Sequence, residues 1–282
     1  MLVNLSEILE PSEKKGYAVI APDFLSISML KHYLFVAEKY CTPIIASYPP
    51  LPVDRFRFFG RWVKKLRILC DESKVPVCLH LDHGKDVETC LKAIDSGFSS
   101  VMIDASTCEL EKNIDITCKV VQTARLAGVS VEAEIGHVGS NKKNIEGKAS
   151  TSDLTDPDEA GYFAEKTGVD ALAVSIGTLH GTYRGTPHID FKRLADIKSS
   201  VNIPLVLHGG SGTGEKNILH SIEGGIRKIN VFTDIFKPYM KATLSGLNPT
   251  RKGTPSLIQR SVVEDILKKY FEVSGSLGVA AG

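Results

Sequence analysis

Eight short runs of apolar and β-branched residues recur along this chain, and stretches of helical periodicity separate them. The runs are Ala18–Ala21, Pro43–Ser47, Val75–Leu81, Ser100–Asp104, Ser130–Ile135, Ala171–Ile176, Ile203–Leu207 and Lys228–Phe232. Such alternation builds parallel β-α units, because two parallel strands can be joined only through a crossover, usually a helix. Most of the runs are apolar nearly throughout, as required when helices cover one face of a sheet and a packed interior covers the other. In 86-DVETCLKAIDSGF-98, Val87, Leu91, Ile94 and Phe98 repeat at helical spacing and Gly97 stops the helix. A second helix opens with Asp156 as cap and Pro157 in the first turn, and runs to Gly168. Eight such units close into a (β/α)8 TIM barrel of the α/β class, and 282 residues hold one barrel of ~250 residues whole. No linker, fixed-period repeat or low-complexity tract marks a boundary, so residues 1–282 read as a single domain. A long polar loop at about 138–157 follows a strand end, where barrel enzymes carry mobile loops, and a helical tail follows about Leu247.

Composition narrows the class of partner. The chain has 34 Lys and Arg against 33 Asp and Glu, so it lacks the basic excess from which nucleic-acid and membrane-surface proteins draw affinity. Apolar residues make up 43 % of the chain, enough to bury a core, and no apolar run approaches the ~18 residues of a membrane span. The amino terminus has no basic lead-in and apolar stretch of the secretory kind. Six cysteines lie scattered without a C-x-x-C pair and read as reduced thiols, which points to the cytoplasm.

A barrel of this kind gathers its chemistry at the carboxyl ends of the strands. The third run ends in Asp82 and His83, the fourth in Asp104, the fifth in Glu132 and Glu134. His180, Gly181 and Arg184 follow the sixth, His208 and a glycine loop the seventh, and Asn230, Thr233 and Asp234 the eighth. Any one of the histidines alone would read as an ordinary core or surface residue. His83, His180 and His208, however, occupy equivalent positions on one rim, and three neutral imidazoles there would hold Zn²⁺ with a fourth position open to water or substrate. His80 lies within its strand, and His32, His137, His188 and His220 lack the strand-end position, so none of the five is assigned a role. The stretch 208-HGGSG-212 offers Gly209, Gly210 and Ser211 as a phosphate cradle, and Asn230, Val231, Phe232 and Thr233 line the next loop, where TIM barrels often bind phosphate. Asp104 and Glu134 fit either a salt-bridge role or a second metal position.

At these residues the chain resembles the class II, zinc-dependent fructose- and tagatose-bisphosphate aldolases, especially the shorter tagatose-type branch. The likeness runs from about Val75 to Asp234 and is densest in HLDHG, VEAEIG, the HG-x-Y-x-G segment at His180 and PLVLHGGSG followed by INV-x-T. The resemblance implies a zinc ion held by His83, His180 and His208, with Asp82 as proton donor to the aldehyde oxygen. It also implies that Gly181, the 209–211 loop and 230–233 hold the phosphate of dihydroxyacetone phosphate, and that Asp104 and Glu134 mark a displaced or second metal position. The reaction implied is reversible cleavage of a ketose phosphate to dihydroxyacetone phosphate and an aldehyde, through an ene-diolate that zinc would stabilise as a Lewis acid. A homodimer or homotetramer acting on a small sugar phosphate is the assembly implied.

The departures from that pattern cluster. The family's loop glutamate is replaced at Asn141 and Lys142, with Glu146 as a candidate substitute; its first-strand asparagine is Asp23; its Ser or Thr after the second strand is Pro49. The late Asp-Pro-Arg motif is missing from 247-LNPTRKGTPSLIQRS-261, and the lysine after HG-x-Y is Arg184. The metal and near-phosphate half is kept while the half facing the aldehyde is rewritten. That pattern points to an aldehyde product other than glyceraldehyde 3-phosphate, whether carboxylated, sulfonated or uncharged, with Arg184, Lys142 and Lys143 as candidate contacts. Two other readings use the same residues: a non-catalytic sugar-phosphate-binding subunit, against which the retention of Asp82 speaks, and a barrel isomerase or epimerase.

Overall fold

A computed structural model describes residues 1–49, 59–139, 154–183, 185–246 and 255–281. The strands are β1 (Leu2–Val3), β2 (Val19–Pro22), β3 (Ile44–Tyr48), β4 (Val77–Gly84), β5 (Ser100–Ile103), β6 (Ser130–Ile135), β7 (Ala171–Val174), β8 (Leu205–Leu207) and β9 (Ile226–Val231). The helices are α1 (Leu5–Lys15), α2 (Ile27–Lys39), α3 (Phe59–Asp71), α4 (Val87–Ser96), α5 (Leu110–Ala127), α6 (Pro157–Thr167), α7 (Phe191–Ser200), α8 (Glu215–Glu223), α9 (Thr233–Gly246) and α10 (Pro255–Val273). Strands β2 to β9 pair in parallel with their chain neighbours, and β9 pairs with β2, which closes an eight-stranded barrel ringed by helices. Each of the eight strand runs read from the sequence coincides with one of these eight strands, with ends shifted by no more than three residues and Ser130–Ile135 unshifted.

Two packed regions hold the barrel together. An outer layer between strands and helices contains Leu79, Val101, Ile103, Ala133, Leu172 and Leu207, the outward-facing strand residues. An inner plug contains Val19, Ala21, Ile45, Cys78, Met102, Ala171, Ala173 and Val206, capped at the amino end of the strands by Leu5, Ile8 and Leu9 of α1. Helix α1 starts in a capping box, with Asn4 Oδ1 accepting from Glu7 N–H and Glu7 Oε2 from Asn4 N–H, and stops at Gly16 in the left-handed region. Its floor position leaves the opposite, carboxyl-end mouth as the open side.

The caps read from the sequence form. Asp86 accepts from Thr89 N–H at the start of α4, which ends at Gly97 with φ 108°. Asp156 accepts from the N–H groups of Asp158 and Glu159 to start α6. Most of the polar loop expected at 138–157, including Asn141, Lys142, Lys143 and Glu146, lies outside the described residues, as does Arg184. From Pro255 the chain forms α10, which packs on α9 and α2 and buries Val263, Leu267 and Phe271 completely. Beyond α10 the chain bonds back to the barrel, Ala18 N–H donating to Ser274 C=O and Ala280 N–H to Cys41 C=O.

Candidate active site

Strand β4 is irregular where it matters. Its pairing register with β5 shifts between Leu81 and Gly84, and His83 sits at φ 47°, a left-handed conformation that costs a non-glycine residue roughly 1–3 kcal/mol. The bulge lets consecutive residues, Asp82 and His83, both serve the mouth of the barrel. Gly84 is forced by packing, since a Cβ there would come within 2.5 Å of both Cys90 Sγ and the Met102 carbonyl oxygen.

The three strand-end histidines converge. Ring centroids of His83 and His208 are 4.6 Å apart, those of His83 and His180 5.0 Å, and those of His180 and His208 5.7 Å. One ring nitrogen from each lies within 4.8 Å of the others. His180 Nε2 is buried and has no hydrogen-bond partner among the described residues, as expected of an atom whose natural partner is a cation. Asp104 and Glu134 stand beside this trio: Asp104 Oδ2 is 2.8 Å from His83 Nδ1, and His83, Asp104 and Glu134 form a second cluster within the same 4.8 Å limit. Glu134 Oε1 accepts from Val138 N–H at 3.0 Å, while its Oε2 is buried without a partner among the described residues. The donor set suits zinc: three imidazoles, carboxylates adjacent, and room for a further ligand from the cleft.

Titration behaviour follows from this crowding. Burial pulls His180 down to about 4 and His208 well below its ordinary value, with the neighbouring His83 acting in the same direction. For His83, burial is outweighed by the Asp82 charge and the Asp104 hydrogen bond, which hold its protonated form up to about 10. Burial, reinforced by Asp104, pushes the Glu134 carboxyl up to about 8. Burial also opposes ionisation of Asp82, but His83 and His208 outweigh it and keep that carboxylate below its usual range.

Under the histidines lies a charged layer that the sequence reading did not find. Lys228, the first residue of the eighth run, lies inside β9, fully buried, with Nζ donating to Glu132 Oε2 at 2.6 Å and 3.3 Å from His80 Nε2. Glu132 Oε1 in turn is 2.9 Å from His208 Nε2, so the Nε2–H tautomer of His208 donates to it and leaves Nδ1 facing His83 Nε2 at 3.0 Å. His80, Asp82 and Glu132 are a third group with metal-like spacing, and the Lys228 ammonium already contacts two of its members, Glu132 and His80. The signal was there in the pattern: in a parallel strand buried on both faces, a Lys with no exposed side can only point inward to a carboxylate.

The cleft above has a volume of about 520 Å³ and is lined by Asp23, Pro49, Asp82, His83, His180, Gly181, Thr182, Gly209, Ser211, Asn230, Phe232 and Thr233. On its β8–β9 side, Phe232 and Thr233 stand at the amino end of α9, where unsatisfied N–H groups favour an anion. Ser211 Oγ accepts from the N–H groups of Phe232 and Asp234, which ties the two phosphate-type loops together and leaves its hydroxyl hydrogen to donate. Gly209 has φ 69°, and a Cβ there would stand 2.6 Å from the Leu179 carbonyl oxygen, so the loop needs glycine. Tyr183 holds the neighbouring turn, its hydroxyl accepting from Leu179 N–H at 2.7 Å and lying 3.0 Å from the Gly209 carbonyl oxygen. Gly210 and Val231 do not line the cleft: Gly210 is pinned against Ile229 and Asn230, and the Val231 side chain belongs to the outer core. The Asn230 amide nitrogen donates to Asp82 Oδ1 at 2.9 Å, which fixes that carboxylate.

Comparison with known proteins agrees with this geometry. The family described as Fructose-bisphosphate aldolase class-II matches residues 3–279. A probable fructose-bisphosphate aldolase of Bacillus subtilis is 40 % identical over 83 % of this chain and 82 % of its own length. A fructose-bisphosphate aldolase of Thermus caldophilus is 37 % identical, with 99 % of this chain and 100 % of the relative covered. Among solved structures, the YdjI aldolase from Escherichia coli K12 superposes with a TM-score of 0.86 at 30 % identity, over 99 % of this chain and 100 % of that one. The chain belongs to the class II fructose-bisphosphate aldolase family, metal-dependent lyases built on the (β/α)8 barrel.

Proposed function

We propose that this chain is a zinc aldolase that cleaves a ketose phosphate reversibly to dihydroxyacetone phosphate and an aldehyde, nearest in kind to the tagatose-bisphosphate branch. The observation that carries the reading is a cluster of three imidazoles, two of which, His83 and His180, line one cleft together with the Asp82 carboxylate and the amino end of α9. His83, His180 and His208 would hold the zinc, with Asp104 and Glu134 as an adjacent or displaced position. When bound, the metal supplies the Lewis acidity that draws charge from the bond being broken. Gly181, Gly209, Ser211, Asn230, Phe232 and Thr233, which line the cleft, would seat the phosphate, with Arg184 as a further contact read from the sequence. Asp82, held ionised and oriented by Asn230, takes the hydroxyl proton as the carbon–carbon bond opens and returns it to the aldehyde oxygen in the reverse direction. Fructose and tagatose 1,6-bisphosphate are the family substrates, and the altered residues Asp23 and Pro49 lie in the cleft wall, which supports a different aldehyde. A homodimer or homotetramer in the cytoplasm is the setting we propose.

The test is stereospecific exchange of a carbon-bound proton of dihydroxyacetone phosphate with solvent by the zinc-loaded protein, followed by NMR. Exchange is expected, with Asp82→Ala lowering aldol cleavage by about 10²–10⁴-fold without abolishing it. A zinc-bound protein that catalyses no exchange is a sugar-phosphate-binding subunit instead, and exchange without cleavage of any ketose phosphate marks an isomerase or epimerase.

A further inference from the structure

We propose that Asp23 determines substrate choice: its carboxyl hydrogen-bonds a hydroxyl of an uncharged, polyhydroxylated aldehyde end, so the preferred substrate is a ketose monophosphate. The inference rests on the aldolase reading and adds the chemical class of the second product.

The backbone at Asp23 is fixed on every side. Its N–H donates to the Val231 carbonyl at 3.3 Å, its carbonyl accepts from the Tyr33 hydroxyl at 2.8 Å, and it bridges to Ser47 of β3. The side chain is therefore held at the carboxyl end of β2, in the cleft wall with Pro49 and Asp82. Its Oδ1 is buried and has no hydrogen-bond partner among the described residues. The Oδ1 of Asn230, whose amide nitrogen is committed to Asp82, is a second acceptor left in the same state in the same cleft. An unmatched buried acceptor is costly, so the ligand that fits is one that brings donors to this wall.

Ligand chemistry then separates. A phosphate or carboxylate brings acceptors and negative charge to a wall that already holds two carboxyl groups, Asp23 and Asp82. Pro49, the other altered residue in that wall, has neither an N–H nor a polar side chain to offer an anion. A hydroxyl both donates and accepts, so it suits Asp23 whether or not the carboxyl carries a proton. Burial and the neighbouring Asp82 push that carboxyl well above its ordinary range, and an anion beside it would meet the same opposition. The anion-seeking α9 amino terminus and the acceptor-bearing β2–β3 wall thus match a molecule with one phosphate and a neutral, hydroxylated remainder.

The experiment compares kcat/KM for fructose 1-phosphate, whose aldehyde is uncharged glyceraldehyde, with kcat/KM for fructose 1,6-bisphosphate, in wild type, Asp23→Asn and Asp23→Ser. Wild type is expected to prefer the monophosphate, and both variants to shift the ratio at least tenfold toward the bisphosphate. Asp23→Ser, which removes the carboxyl and brings a hydroxyl donor in a smaller side chain, covers the case in which Asp23→Asn does not fold. A wild type that prefers the bisphosphate, or a ratio unchanged within twofold in the folded variants, overturns the inference. Proton exchange of dihydroxyacetone phosphate by the wild type tells the two failures apart: present with an unchanged ratio, only the role of Asp23 falls; absent, the aldolase reading falls with it.

Discussion

In the candidate site the polar residues are held by one another, although in the sequence they stand far apart. His83, His180 and His208 were legible as ligand candidates because each stands at or shortly beyond the end of an apolar run and next to a glycine. Glu132 was visible only as a carboxylate two residues from Glu134, and Lys228 and His80 looked incidental, because which way a side chain points inside a barrel depends on register with neighbouring strands. The structure makes one column of them, Lys228 to Glu132 to His208. Removing one partner leaves a buried charge uncompensated, so Lys228→Met and Glu132→Gln should each destabilise by about 3–5 kcal/mol. The double variant should lose clearly less than the sum in urea unfolding; additive losses would show that the two side chains do not act as a pair. Protons give a second readout at the same scale. His83 is held protonated up to about 10 without a metal, whereas a ligand must be neutral, so zinc uptake at pH 7.5 should expel about one proton. Because the raised group loses its proton only as pH passes about 10, the release should fade above that pH and not below it. Calorimetric titration in buffers of different ionisation enthalpy measures it, and zero release at pH 7.5 would refute the protonated His83.

At the level of elements, the strands were the readable part, since runs buried on both faces are apolar and short. Helices α4 and α6 were readable from their caps, Asp86 with Gly97 and Asp156 with Gly168. Helices α1 and α10 were less so, although a helical tail was expected where α10 forms. Proline ordinarily disrupts a helix interior, yet α1 contains Pro11: the Asn4–Glu7 capping box starts the helix and burial of Leu5, Ile8 and Leu9 under the barrel maintains it. Helix α10 follows the motif-bearing part of the chain and carries no signature residue, but its buried stripe of Val263, Leu267 and Phe271 makes it part of the barrel wall beside α9 and α2. Phe271→Ala should therefore cost about 3–5 kcal/mol in denaturant unfolding, the loss of a core aromatic, whereas a helix merely appended to the fold would give well under 1 kcal/mol.

For the molecule as a whole, near-neutral net charge conceals a strongly polarised interior. Carboxylates at Asp82, Asp104, Glu132 and Glu134 gather at one end of a barrel whose other end is apolar and sealed by α1. Overall charge could not foretell this, because it averages over a surface with both signs and says nothing of what lies inside. The Lys228 ammonium lies in that interior as a cation tethered to the chain, and no chelator can take it away. Stripping the protein of its metal should therefore leave Glu132 and His208 still in place. Loss of activity and loss of structure should then be separate events, and a stripped molecule should regain its ion by simple rebinding to a half-built socket.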